Sequence, residues 1–287
     1  GGGSDYPAHF REHGGQVLAA TIDKYVWVTA RWLPPYFEHR SRIVYRDTEL
    51  VGNHAEIKHP TVRECLRLLN IHSGVEIHYD GDVPGVSGLG SSSAFTVGLL
   101  NALNSLIGVT VDDVAADAIY VEQELVGECV GCQDQVMASY GAINRVRFAV
   151  DGSFAVKRLL LPPETVDALE ARLLLFYTRE PREAQTVART YKLDPRQVCK
   201  MAGMVDDGVR YLEAGQLSAF GSLLDRAWGY KKSLSPAVSN DRIDDIYTVA
   251  RNSGALGGKI TGAGGGGFLL LYCEPEHQER LRAALGA

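Results

Sequence analysis

The strand-like run GVEIHYD (74–80) passes through PGVSGLGSSSA (84–94) straight into the apolar run AFTVGLLNALNSLIG (94–108). A helix this apolar has to be buried, so the turn that feeds it is carried to the edge of a core. Glycines 85, 88 and 90 let that turn take positive φ and let a ligand approach the backbone closely. Ser91, Ser92 and Ser93 stand at the helix start, where hydroxyls can cap unpaired N–H groups. A helix N-terminus also presents free N–H groups and the positive end of its dipole, a setting that receives anions, phosphate above all. The segment reads either as an ordinary capped turn or as a phosphate loop. No acidic residue follows Asp82 within it, so a bound anion meets no repulsion there, which favours the second reading.

Other phosphate-binding patterns are absent. A Walker A loop needs GxxxxGK[ST], and Gly258-Lys259 is followed by Ile260. Residues 262–267 spell GxGxxG, but they precede the strand-like FLLLYC (268–273), whereas a dinucleotide fingerprint follows a strand and opens a helix. The remaining chemistry is also narrowed. The 29 basic and 35 acidic residues leave a net charge of −6, without the basic excess of a nucleic-acid binder. The longest uncharged stretch, Val83 to Val111, holds Pro84 and several glycines and makes a poor membrane span. Neither a basic start nor an apolar core marks the opening GGGSDYP as a signal peptide, so a cytoplasmic location is expected. Cys65, Cys199 and Cys273 lie in apolar contexts. Cys129 and Cys132 form a CxxC with no second pair, too few ligands for structural zinc, and they follow a helix rather than a strand. His9 and His13 lack the Glu of HExxH, and no GxSxG is present.

Strands and helices come in clusters, which points to an α+β chain rather than a βαβ array. Residues 16–33 read as strand, RIVYRD (42–47) as its partner, and HPTVRECLRLLN (59–70) as a helix with Val62, Leu66 and Leu69 on one face. A helix is expected from Asp112 or Asp113 as N-cap through Val114, Ala118, Val121 and Leu125, and a short one over 134–141. AINRVRF and FAVKRLLL suit a hairpin across Asp151-Gly152. RLLLFYT (172–178) reads as strand, 183–253 as mostly helix, 254–267 as loop, 268–273 as buried strand and 276–285 as helix. A length of 287 residues suits two domains, and the break is expected near 162–170, giving 1–165 and 166–287.

PGVSGLGSSSA resembles the phosphate loop of the GHMP kinases. KITGAGGGGFLLLYC (259–273) resembles their third motif, and GGGSDYP (1–7) the end of their first. TIDKY (21–25), KHPTVRE (58–64), GCQDQ (131–135) and KKSLS (231–235) further resemble the sugar-kinase branch that acts on heptose 7-phosphates. The resemblance implies a two-domain α+β fold, with an N-terminal domain like domain 2 of ribosomal protein S5 and a ferredoxin-like C-terminal domain. It implies ATP and Mg²⁺ as cofactors and phosphoryl transfer to the anomeric hydroxyl of a heptose 7-phosphate. A fuco- or galactokinase-like activity, or a sensor that binds nucleotide and sugar without transfer, are the alternatives. The expected partner is a small sugar phosphate, with neither nucleic acid nor membrane; a homodimer is left open.

Phosphoryl transfer needs charge neutralisation and a carboxylate near the accepting hydroxyl. Asp134 reads on its own as a helix-start aspartate; the resemblance makes it the general base or orienter of that hydroxyl. ATP is expected on Gly85, Ser87, Gly88, Leu89, Gly90, Ser91, Ser92 and Ser93, with Lys259, Thr261, Gly262 and Gly264 of the third motif beside them. Glu122 sits next to Val121 of the apolar stripe, and the resemblance makes it the Mg²⁺ carboxylate, with Ser92 as hydroxyl ligand. Asp5 matches the position that accepts from sugar hydroxyls, surrounded by Gly3, Ser4 and Tyr6; an Asx-turn before Pro7 is the alternative. Lys231, Lys232 and Arg182 are candidate anchors for a substrate phosphate, or surface charges.

Overall fold

The structure, a computed structural model, describes residues 2–85, 87–180 and 184–286. The chain divides into two compact units, one comprising Gly1–Ala20, Val86–Leu89 and Ala142–Ala287, the other Thr21–Gly85 and Gly90–Gly141. This cut differs from the expected halves 1–165 and 166–287, because the first twenty residues and those following Ala142 cluster with the C-terminal part.

The unit of residues 21–85 and 90–141 is built on β2 (Val26–Trp32), β3 (Ser41–Val44), β4 (Thr48–Val51) and β5 (Val75–Gly81), in the order β2-β5-β3-β4. β2 and β5 are antiparallel with Ala30 opposite Ile77, and β3 runs parallel to β5. Alternation puts Ile43, Val51, Val75 and Ile77 into one core with helices α2 (Pro60–Leu68) and α3 (Ser91–Leu106). Pro60 opens α2, whose Val62, Cys65 and Leu66 are buried at helical spacing. In α3, Leu99, Leu100 and Leu103 are fully buried, each contributing roughly 1.5–3 kcal/mol. Gly98 lets α3 come down on β2, since a Cβ there would lie 3.1 Å from Val28 Cγ2. The helix expected through Leu125 begins as α4 (Ala115–Tyr120), with Asp113 Oδ1 accepting from the Ala115 amide, and then widens into a π-turn over Val121–Leu125. Helix α5 (Gln133–Tyr140) follows.

The other unit carries two antiparallel sheets, β1 (Gly15–Ala20), β6 (Ile143–Phe148) and β7 (Phe154–Arg158) in one, and β8 (Leu173–Tyr177), β10 (Phe268–Cys273) and β9 (Ala255–Ile260) in the other. The hairpin across Asp151-Gly152 is present as β6–β7. The run read as one strand over 16–33 is two strands, β1 and β2, in different sheets, with TIDKY between them. Helices α1 (Pro7–His13), α6 (Pro163–Glu170), α7 (Ala184–Ala188), α8 (Pro195–Glu213), α9 (Leu217–Lys232), α10 (Asp241–Asn252) and α11 (Pro275–Leu285) complete the described part. No helix among the described residues is long and apolar enough to cross a membrane.

The glycine run 254–267 corrects the loop expectation over its first half, which is β9. A Cβ on Gly257 would overlap the Gly221 carbonyl oxygen of α9 and lie 2.7 Å from the Asp225 amide nitrogen. A Cβ on Gly221 would in turn lie 2.7 Å from Cγ of Tyr272. These glycines serve close packing of helix on strand rather than turning. Gly257→Ala is expected to cost about 2–3 kcal/mol through overpacking. Gly203→Ala, on an exposed turn of α8 where a Cβ meets nothing, should gain roughly 0.5–1 kcal/mol from helix propensity. Urea unfolding midpoints of the two variants should therefore move in opposite directions.

Candidate active site

Helix α3 starts behind Gly90, which holds a left-handed conformation with φ 77°, and no side chain caps this N-terminus. Gly88 also has positive φ (78°), whereas Gly85 does not, and a Cβ at Gly85 would meet open space. The capping role expected of the serine triplet is therefore not seen at the N-cap. Instead the three hydroxyls diverge: Ser92 is exposed, Ser91 is buried and Ser93 is buried. Ser91 Oγ and Ser87 Oγ, both shielded from solvent, have no hydrogen-bond partner among the described residues.

Ser93 turns inward to Glu122. The Glu122 carboxylate, 1% exposed, accepts from Thr96 Oγ1 at 2.7 Å, Ser93 Oγ at 3.0 Å and Gln135 Nε2 at 2.6 Å. Burial pushes its carboxyl above the usual range, and the Thr96 and Gln135 hydrogen bonds draw it back. Glu122 lies on the π-turn, where the Val126 amide bonds the Val121 carbonyl five residues back. Gln123, the next residue, donates from Nε2 to the Val130 carbonyl and to Cys132 Sγ, so the turn also braces the chain leading into α5. That contact, with Cys129 half-buried, Cys132 buried and neither in a disulfide, absorbs the CxxC into the scaffold. The serine in contact with Glu122 is thus Ser93, while Ser92 contributes its carbonyl, which accepts from Thr96 Oγ1 at 3.1 Å.

Asp134 occupies the first turn of α5 and is half-buried. A Cβ built on Gly90 would lie 3.4 Å from Asp134 Cγ and 3.6 Å from its Oδ2. The carboxyl thus lies in van der Waals range of the first turn of α3, and it is the positive φ of Gly90 rather than lack of space that favours glycine there.

In the other unit the third motif closes on the phosphate loop. A Cβ on Gly267 would overlap the Ser87 carbonyl oxygen. Thr178 fastens Gly267 by donating both its amide, at 2.8 Å, and its hydroxyl, at 2.9 Å, to the Gly267 carbonyl. The loop closes on itself through the Thr261 amide bonded to the Phe268 carbonyl at 2.9 Å. Gly262 and Gly264 have positive φ, and Gly264 leaves no room for a Cβ against Val238. Lys231 is 5% exposed and donates from Nζ to the Gly262 carbonyl, so it is a buried brace of this loop. Lys259 is half-buried within β9. Lys232 pairs with Asp244 at 3.0 Å and lies over the Trp228 ring.

The first motif is equally built. Asp5 is 2% exposed and its Oδ1 accepts from the Gly3 amide at 2.8 Å. Ser4 Oγ donates to the Gln16 carbonyl and accepts from the Gln16 amide. Tyr6 meets Tyr191 edge-on at 5.5 Å, and the Tyr191 hydroxyl donates to the Ala263 carbonyl, joining the first motif to the third. Arg182 lies outside the described residues. Sequence reasoning passed over Thr96, Gln135, Thr178 and Gly267. Only Gln135 and Gly267 fall inside the strings that carry the family resemblance; Thr96 and Thr178 lie in runs read simply as helix and strand.

These residues fit the groups the resemblance implied. The uncapped turn of α3 and the Ser91 hydroxyl, which has no partner among the described residues, are donors that a triphosphate would satisfy. Glu122 accepts from neutral donors only, a setting in which a buried carboxylate gains from a hard dication. No group of three potential metal ligands occurs among the described residues, so a dication there would draw most of its ligands from phosphate and water, as Mg²⁺ does.

Comparison with known proteins accords with this geometry. The GHMP kinases N terminal domain matches residues 57–142, and the GHMP kinases C terminal domain matches residues 209–287. The chain is 30% identical to D-glycero-alpha-D-manno-heptose 7-phosphate kinase of Campylobacter jejuni over 99% of its own length and 89% of that protein. It is 28% identical to a bifunctional fucokinase/GDP-fucose pyrophosphorylase of Arabidopsis thaliana, over 74% of this chain and 21% of that protein. Among solved structures, a D-glycero-D-manno-heptose 1-phosphate kinase of Bacteroides thetaiotaomicron superposes with TM-score 0.81 at 25% identity, covering 100% of this chain and 88% of that one. With both family domains matched in order and near full-length similarity to a member, the chain belongs to the GHMP kinases, which use ATP as phosphate donor.

Proposed function

We propose that the chain transfers the γ-phosphate of Mg²⁺-bound ATP to the anomeric hydroxyl of a heptose 7-phosphate. The observation that carries the chemistry is the Asp134 carboxyl held against Gly90, at the uncapped first turn of α3. In this reading the α3 amides and the hydroxyls of Ser87 and Ser91 hold the triphosphate. Glu122, with Ser92 as hydroxyl ligand, would hold Mg²⁺, which when bound neutralises phosphate charge. Asp134 orients the accepting hydroxyl and receives its proton. Asp5 accepts from sugar hydroxyls, and Gly3, Ser4 and Tyr6 shape its surroundings. Lys232 and Arg182 stay as candidate anchors for the phosphate already on the sugar. Lys231 is assigned to the loop it braces.

The choice of sugar is supported by the near full-length similarity to the Campylobacter heptose 7-phosphate kinase. A second reading has its own support, because the Bacteroides structure is described as a heptose 1-phosphate kinase. Incubation with ATP and heptose 7-phosphate, followed by ³¹P NMR, separates the two. A new anomeric phosphate signal beside the retained 7-phosphate is expected. Turnover only with sugars lacking a 7-phosphate would overturn the choice.

Asp134→Asn should lower kcat by about 10²–10⁴-fold in coupled ADP release. Equal sugar-dependent rates in the variant and the wild type would remove Asp134 from the chemistry, and no sugar-dependent signal in the wild type would favour a sensor. Gly267→Ala drives a side chain into the Ser87 backbone, and the KM for ATP is expected to rise about tenfold, equivalent to roughly 1.4 kcal/mol.

A further inference from the structure

Gln135 follows Asp134 in α5 and is completely buried. Its Nε2 donates to Glu122 Oε2 at 2.6 Å, while its Oε1, also shielded from water, meets no donor among the described residues. An amide satisfied at one end only is more costly to bury than a hydrocarbon of its size. The reason for a glutamine here is therefore to be sought at its donating end.

The arrangement around Glu122 supplies the reason. Two of its three donors, Ser93 and Thr96, belong to α3, the helix that begins at the phosphate loop. Among the described contacts of Glu122, that of Gln135 alone comes from α5. Successive helical residues point about 100° apart, and α5 uses this: Asp134 lies against Gly90 while Gln135 turns to Glu122. One turn of helix thus carries the proposed hydroxyl-facing carboxylate and the clasp on the proposed metal carboxylate.

We infer that Gln135 is a positioning residue for phosphoryl transfer, holding the Glu122 carboxylate in its aim and tying it to the helix that carries Asp134. This rests on the reading of Glu122 as the carboxylate that serves Mg²⁺. Groups that hydrogen-bond a metal ligand from behind typically change metal affinity by about 10–100-fold when removed.

The test is calorimetric titration of ADP at stepped MgCl₂, using wild type, Gln135→Met, Glu122→Gln and the double variant. Methionine keeps the length and volume of glutamine but donates nothing. Gln135→Met is expected to raise the Mg²⁺ concentration needed for half-maximal enhancement of ADP binding about tenfold. ADP affinity without Mg²⁺ and the KM for sugar should change less than twofold. In the Glu122→Gln background the effect of Gln135→Met should vanish, because it acts through that carboxylate. An unchanged Mg²⁺ dependence in Gln135→Met, with Glu122→Gln shifted, overturns the role of Gln135 and leaves that of Glu122 standing. An unchanged dependence in Glu122→Gln overturns the metal reading itself, and this inference with it. An equal effect of Gln135→Met in both backgrounds marks general damage and also overturns it. If the methionine variant does not fold, Gln135→Asn, an amide one methylene too short to reach Glu122, carries the same comparison.

Discussion

A carboxylate removed from water with no cation paired to it among the described residues is the interaction around which residues 90–141 are organised. An ion in that position is expensive, and hydrogen bonds from neutral groups repay only part of the cost. Thr96, Ser93 and Gln135 supply those bonds to Glu122, and each imposes a condition on its own element. Helix α3 has to present two residues three apart on one face. Helix α5 has to start where its third residue, Gln135, reaches inward. The π-turn has to widen the backbone at Val121–Leu125 to place the carboxylate between them. In the proposed function, a dication arriving with the nucleotide would make good the residual deficit in positive charge.

Close backbone approach is the second organising constraint, and it works within the unit that holds the first and third motifs. Gly267 lies on the Ser87 backbone and Gly264 on Val238, so the third motif has no freedom to swell. Tyr191 and Thr178 then pin it from two sides with bonds to the Ala263 and Gly267 carbonyls. The result is a loop rich in glycine that is nonetheless tightly held. Glycine here permits contact, and the contact supplies the order that glycine alone would lack.

Much of this was legible in residue order. Helix α2 and strand β5 follow from their apolar periodicity, and the turn between β5 and α3 from glycines set between a strand and an apolar helix. The α+β class and the GHMP kinase resemblance were readable for the same reason, since three motifs sit in fixed order. What escaped depends on partners distant in the chain. The glycines of β9 look like loop glycines until Gly221 and Tyr272 are seen against them. Strands β1 and β2 read as one because nothing local shows that β1 pairs with β6, more than a hundred residues away. Ser92 and Ser93 are neighbours, and which one faces Glu122 depends on the left-handed Gly90 that sets the phase of α3. Lysine is ordinarily exposed, so no local signal marks Lys231 as buried.

That last residue has a consequence for how the protein meets its ionic surroundings. The Lys231 ammonium is directed at a loop carbonyl inside the protein, where mobile ions screen weakly. The clasp on the third motif should therefore keep its strength as electrolyte is added. Any loss of turnover in concentrated salt would then report attraction between the protein surface and an incoming anion, leaving the architecture of the glycine loops out of account.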